Sequence, residues 1–174
     1  MIGLQGKQLV SERLTYRLLA DGDKPALAAL LADPAVTEPA GFFPAKTEEA
    51  FDKFFDTLTQ YGTGVAVFLD GTLIGYIHVN RYRINDPEFS DKPCVGVGFI
   101  IGKKYWKNGY GSETLTTLTG YLLKSFYACF ADCFVENDAS RRTIERCGYS
   151  YLGEYTMYFN DLGKEKTCRS YVCR

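Results

Sequence analysis

Tyr105-Trp106-Lys107-Asn108-Gly109-Tyr110-Gly111-Ser112-Glu113 is the stretch on which the fold turns. Gly109 and Gly111 free the backbone to bend so that successive N–H groups point one way. The stretch runs into a predicted helix, with Leu115, Leu118, Leu122 and then Phe126 recurring at helical spacing. The start of such a helix offers unpaired amides and the positive end of its dipole. Together these suit a pyrophosphate or a similar anion, with Lys107 either adding a charge or standing in solvent. By itself Gly-x-Gly is as readily a plain glycine turn. No Gly-Lys-Ser/Thr follows, so it is not a P-loop, and no third glycine stands three residues beyond Gly111 to complete a dinucleotide fingerprint.

Immediately upstream, Cys94 to Ile101 reads as a strand. Val95, Val97, Phe99 and Ile101 share one face, and Gly96 and Gly98 sit on the other. Two glycines on one strand face mark a close approach to the backbone. Before it, Val65–Leu69 and Leu73–Val79 flank Asp70-Gly71, a hairpin signal. Leu14 to Leu19 is a short strand, and Asp21 to Asp33 a helix capped by Asp21 or Asp23 with Leu27, Leu30 and Leu31 on one face. A loop bearing Pro34, Pro39, Gly41 and Pro44 leads to a helix from near Thr47 that buries Phe51, Phe54, Phe55 and Leu58. Downstream, Cys129–Val135 is a strand, Asn137–Cys147 a helix ended by Gly148, and Tyr149–Phe159 and Thr167–Cys173 closing strands. The expected architecture is a layered α/β (α+β) fold in a single domain, residues 1–174.

The 174 residues are 46% hydrophobic, enough for a real core, which excludes a disordered tail. Twenty basic against twenty-one acidic residues argue against a nucleic-acid binder. No run is long enough to span a membrane, and Met1 to Gln5 opens no export signal, so a cytoplasmic protein is expected. The six cysteines are therefore read as reduced, buried thiols; none are spaced Cys-x-x-Cys, and His78 is the only histidine, so no metal site is expected.

A second segment, Asn137-Asp138-Ala139-Ser140 leading to Gly148-Tyr149, changes the weighting. With Tyr105–Thr114 and the opening Leu9-Val10-Ser11-Glu12-Arg13-Leu14, it makes the chain resemble the GCN5-related N-acetyltransferase (GNAT) superfamily, in particular its RimJ/RimL-like branch, over nearly its whole length. That resemblance implies a mixed, mostly antiparallel central sheet of about seven strands flanked by helices, and acetyl-CoA as co-substrate. It implies that backbone groups of the strand through Phe99, Ile100 and Ile101 meet the pantetheine arm. Amides from Lys107, Asn108, Gly109, Tyr110, Gly111 and Ser112 would cradle the pyrophosphate, with Trp106 covering the cofactor or filling core. Asn137 would hold the pantetheine side. Ser140 would lie near the thiol, either as proton donor to the departing thiolate or as cap of its helix. Arg141 or Arg142 would reach the nucleotide phosphates or project into solvent.

Two usual acid/base positions of the family are empty: Gly96 stands where many members have glutamate, and Ile144 where many have tyrosine. A lysine amine needs about 4–5 kcal/mol to be neutral at pH 7, and an α-amine only about 1–1.5 kcal/mol. Sparse acid/base equipment therefore favours a weakly basic acceptor. The expected activity is acetyl transfer to a primary amine, a protein N-terminus or a small molecule, by direct attack in a ternary complex. The alternative is a weak or inactive acyl-CoA-binding sensor. His78 is a packing residue or a base acting through water. Asp86, Glu88 and Asp91 either attract a cationic substrate or are solvated loop charges. A monomer or homodimer is expected.

Overall fold

Asp70 and Gly71 both take positive φ, 48° and 77°, as a two-residue hairpin turn demands. They join β3 (Gly64–Leu69) to β4 (Thr72–Arg81), with Leu69 opposite Thr72. In the computed structural model, which describes residues 2–41, 47–159 and 162–174, this hairpin lies within an eight-stranded sheet. The other strands are β1 (Leu9–Val10), β2 (Thr15–Leu18), β5 (Cys94–Ile101), β6 (Ala128–Phe134), β7 (Ser150–Phe159) and β8 (Lys164–Cys173). Their order is β1-β2-β3-β4-β5-β6-β8-β7. The β5–β6 pair is parallel, and the other neighbouring pairs are antiparallel. The strand beyond the expected seven is β1, whose two residues are too few to show alternation.

Helices cover both faces of the sheet. On one, α4 (Tyr110–Leu122) and α5 (Asp138–Arg146) bury Leu115, Leu118, Leu122 and Ile144 against Val67, Ile77, Val79, Val95 and Val97. On the other, α1 (Lys24–Leu31) and α3 (Glu48–Tyr61) bury Leu27, Leu31, Phe55 and Leu58 against Ala66, Tyr76 and Ile100. Alternate residues of β4 and β5 thus serve opposite layers, which places Gly96 and Gly98 on the α1/α3 side.

The local signals held with small shifts. Gly62 and Gly148 take left-handed conformations after α3 and α5. Thr47 caps α3 by accepting from the Ala50 N–H at 3.2 Å. Replacing this exposed threonine by alanine is expected to cost about 1 kcal/mol, read as a lower urea midpoint with an unchanged slope. Three readings need correction. Asp23 does not cap α1; its carboxylate pairs with Arg17 at 2.6 Å and accepts from the Ala20 N–H at 2.9 Å, while residues 21–23 form a short 3₁₀ turn. The proline-rich loop contains a one-turn helix, α2 (Pro34–Thr37), because Asp33 accepts from the Ala35 N–H and Pro34 suits a first helical position. Pro44 lies outside the described residues. Phe126 lies past the end of α4.

Candidate functional site

The site begins where two strands part. Parallel pairing of β5 with β6 covers Cys94 with Ala128, Val95 with Cys129 and Gly96 with Phe130. Beyond Gly96, β5 continues against β4 as far as Ile101, and β6 continues against β8 as far as Phe134. Among the described residues no strand pairs with the β6-facing edge of Val97–Ile101, so part of that backbone faces a wedge. Phe99, Ile100 and Ile101 thus stand where an extended arm can add β-like hydrogen bonds. One group there is taken: the Trp106 indole N–H donates to the Ile101 carbonyl at 2.6 Å.

The glycine stretch closes one end of this wedge. Lys107 and Gly109 both take positive φ, 65° and 81°. Alternation of left-handed and ordinary residues turns successive amides inward. The first helical bond of α4 runs from the Glu113 N–H to the Gly109 carbonyl, so the helix itself leaves the amides of Tyr110, Gly111 and Ser112 free. The Asn108 side chain holds the turn by donating to the carbonyls of Tyr105 and Trp106 at 3.2 and 3.0 Å. A Cβ on Gly111 would sit in ordinary contact, 3.7 Å from Phe99 and 3.8 Å from Thr143, so α4 lies against β5 and α5 here. An amide nest beside an unpaired strand edge fits a pyrophosphate joined to an amide-bearing arm.

A clamp that the sequence reading passed over fixes the nest. Glu113, a helix-start acid that by sequence alone reads as a cap or a solvated charge, accepts from Ser11 Oγ at 2.6 Å, from the Arg13 N–H at 2.8 Å and from Arg13 Nε at 2.8 Å. Arg13 also donates to the Asn108 carbonyl at 2.9 Å and stacks its guanidinium over Tyr110. Burial pushes the Glu113 carboxyl up, but the Ser11 hydroxyl and the Arg13 N–H groups outweigh it and hold it below the ordinary range. The Ser-Glu-Arg run was the signal available, but its partner lies across the chain.

The far wall is α5. Asn137, not Ser140, is its cap: Asn137 Oδ1 accepts from the Ser140 N–H at 3.0 Å, and Nδ2 donates to the Pro39 carbonyl at 2.7 Å. The half-buried Ser140 hydroxyl has no such duty. Arg141 is committed to Asp138 and Glu145, whereas Arg142 is exposed and makes no ion pair among the described residues, so Arg142 is the one free to meet an anion. Asp86 accepts from the Glu88 N–H and Glu88 pairs with Arg174, so these acids serve the loop.

Both vacant acid/base positions are closed by packing. A side chain on Gly96 would meet Asn80 Oδ1 at 2.6 Å and Tyr82 Cδ2 at 2.9 Å. Ile144 is fully buried in the α4/α5 core. Burial keeps His78 below its ordinary pKa. Cys94, Cys129, Cys133 and Cys168 are buried, Cys147 and Cys173 partly so, and all six are free; burial pushes the Cys129 and Cys133 thiols up to about 12 and about 11, far from thiolate chemistry. Among the described residues no His/Cys/Asp/Glu cluster suits a metal ion, and no helix is long and apolar enough to cross a membrane.

The wedge, the amide nest and the flanking helices belong to a known class. The family model described as "Acetyltransferase (GNAT) domain" matches residues 13–150, and the chain belongs to that family. Solved structures share the fold. A GNAT-family acetyltransferase from Bacillus anthracis is 24% identical, with TM-score 0.77, covering 95% of this chain and 97% of its own. An acetyltransferase from Salmonella typhimurium, described as modifying the N-terminal serine of the 50S ribosomal subunit protein L7/L12, is 20% identical, with TM-score 0.77 and coverages of 95% and 96%. A third neighbour, the ribosomal L7/L12 α-N-protein acetyltransferase RimL, is 20% identical with TM-score 0.76, covering 95% of this chain and 92% of its own.

Proposed function

We propose that residues 1–174 form a single acetyl-CoA-dependent N-acetyltransferase domain acting on a primary amine, either a protein N-terminal α-amine or a small-molecule amine. The observation that carries this reading is the parting of β5 from β6 beside the nest at Lys107–Ser112. The Salmonella neighbour's action on an N-terminal serine makes free peptide N-termini the first acceptors to try. Acetyl-CoA supplies an activated acetyl thioester. The chain's own part is to hold it. The amides of residues 107–112 take the pyrophosphate, Phe99–Ile101 align the arm, Asn137 secures the α5 side, and Arg142 meets nucleotide phosphate. Ser140 donates a proton to the departing thiolate. With a thiol pKa near 8.5 that help is small, so Ser140→Ala is expected to lower kcat about 10-fold and leave the urea midpoint unchanged, since Asn137 holds the cap.

A binding-only sensor is the second reading, favoured by the packing that closes Gly96 and Ile144 to acid/base side chains. Thermal shifts with CoA, acetyl-CoA and ATP at matched concentration test the shared premise. A ligand at 100 times its Kd stabilises by about 2.7 kcal/mol, and acetyl-CoA is expected to do so where ATP does not. Amine-dependent thiol release then separates an enzyme from a sensor. No shift with either CoA form overturns both readings.

A further inference from the structure

On the α1/α3 face of the sheet, one row of residues crosses the wedge. His78 on β4 lies opposite Gly98 on β5, and Asp132 on β6 stands, like Gly98, two residues beyond the last β5–β6 pair. Gly98 is exposed, and a Cβ there would meet nothing within 4 Å, so the row has an open middle. Asp132 is the one acid in the otherwise apolar run Ala128–Phe134. Its half-buried carboxylate accepts from the Tyr82 hydroxyl at 3.1 Å and the Tyr155 hydroxyl at 3.1 Å, and Tyr82 in turn shares a hydrogen bond with Ser170 at 3.3 Å. Among the described residues no basic side chain pairs with it; Lys166, on the same face of β8, is engaged with Glu136. The other titratable groups close enough to sense its charge are the thiols of Cys168 on β8 and of Cys133 beside it on β6.

A carboxylate drawn off solvent, held by hydroxyls and lacking a cation, is an incomplete ion pair. Burial pushes the Asp132 carboxyl up, against the opposing pull of Ser170, Tyr155 and Tyr82. It stands where the wedge begins, two residues beyond the last β5–β6 pair and beside the open surface of Gly98.

We propose that Asp132, with Tyr82, Tyr155 and the open surface of Gly98, forms the seat of the acceptor's primary ammonium and that Asp132 takes its proton. This deepens the acetyltransferase reading and rests on it. The ammonium gives one proton to Asp132 Oδ. The freed nitrogen lone pair forms the N–C bond to the acetyl carbon as the C–S bond breaks. The thiolate leaves and is protonated, the new amide loses its second N–H proton, and Asp132 returns its proton to solvent. The net reaction is ammonium plus thioester giving amide, thiol and one proton. The site thereby selects a cationic primary amine over a hydroxyl acceptor.

The test uses the full chain, wild type and Asp132→Asn, with acetyl-CoA affinity from calorimetry. Transfer is followed by thiol release from pH 6 to 9.5 with peptides bearing a free N-terminal serine or alanine and with simple alkylamines. Asp132→Asn is expected to keep acetyl-CoA affinity within about 3-fold and to lose about 100-fold in kcat/KM at pH 7. The deficit should narrow as pH rises through the amine's own pKa, where the amine needs no base. Tyr155→Phe, which removes one donor from the carboxylate, should move the acidic limb of the kcat/KM profile upward. Undiminished transfer by Asp132→Asn, a loss equal at every pH, or lost acetyl-CoA affinity overturns the assignment. A wild-type protein that binds acetyl-CoA but acetylates none of the amines overturns the primary-amine seat, and one that does not bind it overturns the reading beneath.

Discussion

Replacing Gly98 by valine is expected to leave the protein folded and to remove at least about 100-fold of its acetyl-transfer kcat/KM. A Cβ at Gly98 meets nothing within 4 Å, and its φ is not in the left-handed region, so neither a clash nor backbone strain opposes the change. Valine also suits a strand better than glycine, which costs roughly 0.5–1 kcal/mol in a strand interior. The urea midpoint should therefore hold or rise. What the isopropyl group fills is the open middle of the row from His78 to Asp132, the seat proposed above for the acceptor. Gly96→Ala is the control: its Cβ would press at 2.9 Å on the Tyr82 ring, which is stacked on Phe130, so that variant should lose stability. Gly98→Val with wild-type transfer would place the chemistry elsewhere.

Glu113→Ala is expected to be the most damaging single change to the nest. It removes the shared acceptor of the Ser11 hydroxyl, which keeps the Leu14 carbonyl and the Tyr16 hydroxyl, and of the exposed Arg13 N–H, at a cost of about 1 kcal/mol. The exposed Arg13 guanidinium rehydrates and adds little to that loss of stability. Its larger effect is on position, since Arg13 also holds the Asn108 carbonyl within the nest. Acetyl-CoA affinity should fall about 10-fold or more, measured by calorimetry. The pH dependence has a fixed sign. Because the folded carboxyl titrates below its ordinary 4.5, its contribution is fully present above that pH and is lost as pH falls through the folded value. The stability gap between wild type and Glu113→Ala should therefore be constant at neutral pH and shrink from about pH 5 downward.

Much of this was legible in the sequence because it was local. Asp70-Gly71 specifies its turn from two residues, Gly148 ends α5, and the 105–113 stretch announces a bent backbone before a helix. The family resemblance then supplied the layout of the sheet. What escaped was set by distance along the chain. Ser11 and Glu113 are 102 residues apart, and no pattern within either segment points to the other. Asp132 was visible as a lone acid in an apolar strand, but its tyrosine partners come from the loop after β4 and from β7. Serine and asparagine both suit a helix cap, and only backbone geometry gives that role to Asn137 over Ser140. The closing of Gly96 by Asn80 and Tyr82 is likewise a property of three elements at once.

Among the described residues, three residue pairs join β5 to β6 in the sheet, so it forms two panels, β1–β5 and β6–β8, meeting along a short seam. A co-substrate arm lying along Val97–Ile101 would act as an inserted strand that staples the panels together. Binding would then complete the architecture as well as fill a cleft, and the free protein would breathe first along that seam.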